Sequence, residues 1–140
     1  MSVYLDASIL VSLFVHDASS ARADALLRGT RQVVIVSDLA GSEFASALAR
    51  RTRTGEQTIE DARTALANFD LWIAQAVHRV ETTAQDVATA TSFIRRLDLA
   101  LRTPDAIHIA ITQRCGASLA TFDQKMQASA EALGLVVAPA

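Results

Sequence analysis

VYLDASILVSLF, residues 3–14, changes character halfway along. VYL is a short apolar run that stops at Asp6 and reads as a buried strand; residues 7–14 then read as a short helix. The pattern recurs. VVIV, residues 33–36, is β-branched and unbroken, as a strand covered on both faces should be, and Ser37 and Asp38 can start a helix running to about Arg53. Between these units, Asp17 or Ser19 can cap a second helix over residues 20–28.

Further along, Gly55 stops a helix, and Thr58 with Asp61 resembles a capping box with Asp in place of Glu. The helix after it reaches about Ile73, with Ile59, Leu66, Phe69 and Trp72 or Ile73 facing inward. Residues 77–80 form a strand candidate interrupted by His78 and Arg79. Thr83 and Asp86 repeat the cap pattern ahead of a helix to about Arg96. In TPDAIHIAI, residues 103–111, Thr103 is the expected cap, Pro104 suits the first turn, and Asp105 lies where the helix dipole favours negative charge. That helix runs to about Arg114. Residues 118–120 are a short strand, 124–133 a helix ended by Gly134, and 135–137 a fifth strand. Alternation throughout predicts one domain, residues 1–140, folded as an α/β sandwich with a mainly parallel central sheet.

Composition agrees. Of 140 residues, 51% are hydrophobic and 20% charged, enough apolar material for a core and too little charge for disorder. No stretch approaches the roughly 20 apolar residues of a membrane span. The start, MSVYLD, lacks the basic and apolar regions of a signal peptide, so a cytoplasmic protein is expected. Cys115 is the sole cysteine, which excludes an internal disulfide and favours burial at the end of its helix. A net charge of −2 does not advertise nucleic-acid binding, though a local basic patch would suffice for it.

In parallel sheets, ligands bind beyond the carboxyl ends of the strands. Asp6 directly follows VYL, Asp123 follows LATF, and Asp105 opens its helix, so all three can share one rim. Glu43, in DLAGSEFASAL, flanks the inward stripe of Ala40, Phe44, Ala47 and Leu48 rather than opposing it. Singly, each acid has a plain explanation: Asp6, Asp105 and Asp123 as helix-start residues, Glu43 as a snorkelling surface residue. Jointly, four carboxylates at one edge would repel and raise one another's pKa values, a conflict that a hard divalent cation removes. Such a cation, Mg²⁺ or Mn²⁺, polarises a phosphoryl oxygen and activates water, which points to metal-assisted phosphodiester hydrolysis.

YLDASIL, SEFASAL, TPDAIHIAI and ATFD, in this order and spacing, resemble the PIN-domain ribonucleases, and more closely the VapC-type toxins of type II toxin–antitoxin pairs. The resemblance spans essentially the whole chain and is weakest over residues 55–102. It implies a PIN-like three-layer sandwich with a parallel five-stranded sheet, usually assembled as a homodimer. Asp6, Glu43, Asp105 and Asp123 match the family's acidic quartet. Asp6 and Asp105 match the positions most often assigned to Mg²⁺, with Asp123 assisting, and Ser8 and Thr121 match polar positions that orient the acids. It further implies an RNA substrate, frequently tRNA or rRNA, and a VapB-like antitoxin whose tail covers the cleft.

Basic residues would handle the remaining RNA. RRTR offers Arg50, Arg51 and Arg53, with Arg95, Arg96 and Arg102 as further candidates; for each, a solvated helix end is the plain alternative. His108, one turn after Asp105, could touch substrate or tune that acid; a packed or partly exposed histidine is the plain alternative. His16 and His78 have no second ligand at zinc spacing, no Gly-rich phosphate loop occurs, and Ser8 and Ser42 lack a His partner pattern for covalent catalysis. Trp72 with Phe69 reads as core or dimer contact. Two rival readings use part of the sequence. A receiver-like signalling domain would take Asp38 as phosphoacceptor, but Lys125, the sole lysine, falls in the final helix region rather than near a strand end. A catalytically silent module that binds RNA or a partner would not require the complete quartet.

Overall fold

The computed structural model describes residues 1–139. Its elements, in chain order, are β1 (Ser2–Leu5), α1 (Ala7–Phe14), α2 (Ser20–Gly29), β2 (Val33–Ser37), α3 (Asp38–Arg53), α4 (Ile59–Ala76), β3 (His78–Val80), α5 (Ala84–Ile94), α6 (Thr103–Arg114), β4 (Ser118–Ala120) and α7 (Gln124–Ala132). The strands form one parallel sheet in the order β3-β2-β1-β4.

Period-two alternation decides which layer each strand residue joins. Val3, Leu5, Val36 and Ala120 point to one face and pack with Ile9, Leu10, Phe44 and Phe69 of α1, α3 and α4. Tyr4, Ile35 and Leu119 point to the other and pack with Ile109, Ile111 and Met126 of α6 and α7. Helices therefore cover both faces, the expected three-layer sandwich. On the first face Phe14, Phe44, Phe69 and Trp72 pack as a group with centroid separations of 4.6 to 6.4 Å, which sets the half-buried Trp72 against the core.

The sheet has four strands rather than five. The segment expected as the fifth strand makes a single bridge, Leu119 with Val137, closed by Leu119 N–H to the Val136 carbonyl (2.9 Å) and Ala138 N–H to the Leu119 carbonyl (2.7 Å). Gly134, at φ +85°, turns the chain just before it, and Pro139 just after it has no N–H to extend the ladder. β3 is an edge strand, so the polar His78 and Arg79 that interrupt its pattern lie exposed. Two further expectations change. Ile59 opens α4 at 48% exposure, because the buried stripe of that helix begins at Ala62. Arg102, not Thr103, is the N-cap of α6, with no side-chain cap bond; Pro104 starts the turn by fixing φ. Cys115 is half-buried.

Candidate active site

Register places Leu5 opposite Ala120 and Ser37 opposite Val80, so the carboxyl ends of all four strands form one rim. Asp6 leaves the centre of that rim. It is the N-cap of α1 and only 5% exposed. Its Oδ1 accepts from Ser8 Oγ (2.6 Å) and Ile9 N–H (3.3 Å), and its Oδ2 accepts from Thr121 Oγ1 (2.5 Å). Burial pushes the Asp6 pKa up, against the hydrogen bonds from Ser8, Thr121 and the Ile9 amide, which pull it down.

Thr121, fully buried just past β4, serves two acids at once. Its hydroxyl donates to Asp6 and accepts from Asp123 N–H at 3.0 Å. Ser8 completes the clasp by accepting Phe122 N–H at 3.0 Å. Both hydroxyls thus donate to the Asp6 carboxylate. Asp123 is the N-cap of α7, with Oδ1 accepting from Lys125 and Met126 N–H at 2.9 and 3.2 Å. The capping explanation and the rim explanation coincide: capping a helix that starts at a strand's carboxyl end is what carries Asp6 and Asp123 there.

Asp105 lies in the first turn of α6, with Oδ2 3.6 Å from Arg102 Nε; its side chain is 17% exposed and that of Arg102 83%. Glu43, on α3, hydrogen-bonds through Oε1 to His108 Nε2. His108 is 2% exposed, and its Nδ1 is 2.5 Å from the hydroxyl of Tyr4 on β1, which in turn is 2.6 Å from Ser37 Oγ at the end of β2. His108 thus engages Glu43 rather than its helix neighbour Asp105. Tyr4 and Ser37 carried no signal as site residues in the sequence; only the pairing of β1 with β2 brings them together.

Arg50, Arg51 and Arg53 occupy the last turn of α3. Because α3 starts at the rim and leads away from it, they lie about 10–15 Å along the axis beyond Glu43. They are not brought to the acids. Closer to the rim, the Arg22 guanidinium lies 4.6 Å from the Phe122 ring centroid, next to Asp123, a basic residue the sequence did not single out. Asp38, the acid a receiver-like domain would need, is instead tied by Oδ1 to the Thr82 amide (2.8 Å) and hydroxyl (2.6 Å). A cavity of about 610 Å³ beside the rim is lined by Ser37, Asp38, Phe69, Arg79 and Glu81, and includes none of the quartet.

Among the described residues, no three His, Cys, Asp or Glu side chains stand grouped as a metal-holding set. The donor chemistry nonetheless suits a hard divalent cation: three carboxylates and two hydroxyls, all oxygen, with each carboxylate offering lone pairs beyond the local bonds it makes.

The PIN domain model matches residues 3–132. Ribonuclease VapC46 of Mycobacterium tuberculosis is 37% identical over 142 residues, covering 99% of this chain and 98% of that protein. The crystal structure of VapC20 from Mycobacterium tuberculosis, a sarcin-ricin loop cleaving toxin, superposes with a TM-score of 0.77 at 23% identity and 99% coverage of both chains. VapBC2 of Rickettsia felis, solved bound to a DNA fragment from its promoter, gives 0.72 at 13% identity, covering 99% of this chain and 98% of its own. On the family match and the 37% identity along nearly the full length, the chain belongs to the PIN-domain family, among its VapC-type members.

Proposed function

We propose that the protein is a Mg²⁺- or Mn²⁺-dependent endoribonuclease acting as the toxin of a VapBC-type pair. The observation that carries this reading is the clasp on Asp6: a buried carboxylate at the centre of the rim, oriented by Ser8 and Thr121, with Thr121 also holding the backbone of Asp123. Orienting hydrogen bonds on a buried carboxylate are the usual support of a metal ligand.

Asp6, Asp105 and Asp123 would hold the divalent ion. When bound, such an ion supplies Lewis acidity to the scissile phosphate and lowers the pKa of water. Glu43 orients the attacking water and takes its proton. Attack by water leaves a 5′-phosphate and a 3′-hydroxyl and does not use the ribose 2′-hydroxyl; a 2′,3′-cyclic phosphate product would contradict it. Arg50, Arg51 and Arg53 would contact phosphates of the longer RNA, with tRNA or rRNA as the expected substrate class. The partner would be a VapB-like antitoxin, the assembly a homodimer, and the compartment the cytoplasm. No described helix is long and apolar enough to cross a membrane.

The test compares antitoxin-free wild type with Asp6→Asn and Asp105→Asn on total cellular RNA, with Mg²⁺, with Mn²⁺ and with EDTA. Discrete cleavage that EDTA and both substitutions abolish is expected. Cleavage that survives both would remove the site, and a folded wild type without cleavage on any RNA would leave a binding module.

A further inference from the structure

We propose that Tyr4 and His108 are positioning residues that fix Glu43 through a one-way chain of hydrogen bonds starting at Ser37. The inference rests on the nuclease reading, in which Glu43 handles the attacking water.

The order of donors follows from the chemistry of each group. An ionised Glu43 only accepts, so His108 Nε2 must carry the hydrogen of their bond. A neutral His108 then accepts at Nδ1, and the Tyr4 hydroxyl, 2.5 Å away, donates to it. The Tyr4 oxygen in turn accepts from Ser37 Oγ at 2.6 Å, and Ser37 Oγ accepts from Ala40 N–H at 3.1 Å. Every donor and acceptor is used once along the chain. The opposite order fails: an imidazolium donating to Tyr4 would turn the Tyr4 hydroxyl towards Ser37 and leave the Ser37 hydrogen without an acceptor.

The location of the chain argues for a role beyond packing. Tyr4 is fully buried and His108 nearly so, in a layer whose buried apolar residues include Ile35, Ile109, Ile111, Leu119 and Met126. Polar groups placed there must be paired, and Phe with Leu would fill such a layer without that demand. The chain runs outward from this core to Oε1 of Glu43, whose side chain is 34% exposed. Holding Oε1 from below leaves Oε2 as the oxygen available to a water or a phosphate-bound proton. A Glu on a helix surface otherwise samples several rotamers, and only some would serve. Small errors in placing a reacting group cost catalysis more than binding.

The experiment is a double-mutant cycle with kinetics on one short fluorogenic RNA that the wild type cleaves in Mn²⁺. His108→Leu should lower kcat about 10- to 100-fold with KM unchanged. Tyr4→Phe, which keeps the ring and its packing, should lower kcat about 3- to 10-fold by the loss of one hydrogen bond. His108→Gln, which can still donate to Glu43, should recover part of the loss. In a Glu43→Ala background, His108→Leu should cost nothing further, because the group it positions is gone. Ring ¹⁵N spectra read the chain without activity and should show His108 protonated at Nε2 alone.

Wild-type kcat in His108→Leu and Tyr4→Phe, or an equal loss in the Glu43→Ala background, would overturn the proposal. An Nδ1-protonated or doubly protonated ring at neutral pH would overturn the order of the chain. Should His108→Leu not fold, Tyr4→Phe and the spectra still decide. If the wild type cleaves no RNA while the ring is protonated at Nε2 alone, the nuclease reading fails and takes the catalytic role with it, whereas active wild type with indifferent Tyr4 and His108 variants overturns this inference alone.

Discussion

Replacing Thr121 by Val exchanges one hydroxyl for a methyl of similar size in a fully buried position. Two close bonds are lost, the 2.5 Å donation to Asp6 Oδ2 and the 3.0 Å acceptance from Asp123 N–H, along with a long 3.5 Å contact to Ser8 Oγ. The first engages a charged group and the second a neutral one, so together they account for about 2–4 kcal/mol of stability. Ser8 and the Ile9 amide remain on Oδ1, but Oδ2 is left with no donor. The charge of Asp6 gives the effect a pH dependence. Burial already raises the Asp6 pKa in the folded protein, and removing the Thr121 bond raises it further. A carboxyl with a higher pKa folded than unfolded destabilises the fold while it is ionised, and the penalty fades as it protonates. The cost of Thr121→Val should therefore be largest near neutrality and shrink on acidification towards the ordinary carboxylate pKa of about 3.9. Urea unfolding of both proteins at about pH 8 and about pH 5 measures it. A cost below about 0.5 kcal/mol at the higher pH, or one that grows on acidification, would refute the clasp on Asp6.

Other residues give sharper local tests. Arg114 donates to both oxygens of buried Asp86 at 2.8 and 3.0 Å; burial raises the Asp86 pKa, but Arg114 and the Thr83 cap outweigh it and hold the carboxyl below its usual value. Arg114→Met should cost about 2 kcal/mol at neutral pH, less than a fully buried pair because Arg114 is 38% exposed. That stability is present above the ordinary carboxylate pKa and lost as pH falls through the depressed one, so acid titration of both proteins should bring their stabilities together. Phe44→Ala, at a fully buried ring packed on Phe14 and Phe69, should cost about 3–5 kcal/mol in thermal or urea unfolding. Arg102→Ala removes a long ion pair whose arginine is largely exposed and should change stability by less than about 0.5 kcal/mol. Neutralising Arg50, Arg51 and Arg53 should flatten the salt dependence of RNA binding by about 0.7 in log–log slope per phosphate contact; an unchanged slope would return them to an ordinary solvated helix end.

The parts of the molecule that were readable from sequence are those where burial is complete and local. VYL and VVIV are buried on both sides in their inner residues, so their apolar runs announce strands, and the acid after VYL announces the rim. LVV at residues 135–137 looks the same in composition but is confined between a left-handed glycine and a proline, so it bridges once and stops. Ile59 shows the opposite error: an apolar residue of helical spacing stays exposed because it sits in the first turn, ahead of the buried stripe. The rim positions of Asp6 and Asp123 follow from strand ends and helix starts, which a sequence displays. The link from Tyr4 to His108 does not. They are 104 residues apart, and they meet only because β1 is central and turns Tyr4 to the face that α6 covers. Nothing in the local pattern of either residue encodes that choice of face and neighbour.

In the proposed nuclease, Asp6, Asp105 and Asp123 hold a divalent ion. Calorimetric titration of Mn²⁺ into the antitoxin-free protein tests it without reference to any RNA. The wild type should give a binding isotherm, weakened about tenfold or more in Asp6→Asn and in Asp105→Asn and unchanged in Asp38→Asn, whose carboxylate is engaged by Thr82. Binding that is indifferent to Asp6 and Asp105, or lost equally in Asp38→Asn, would contradict it.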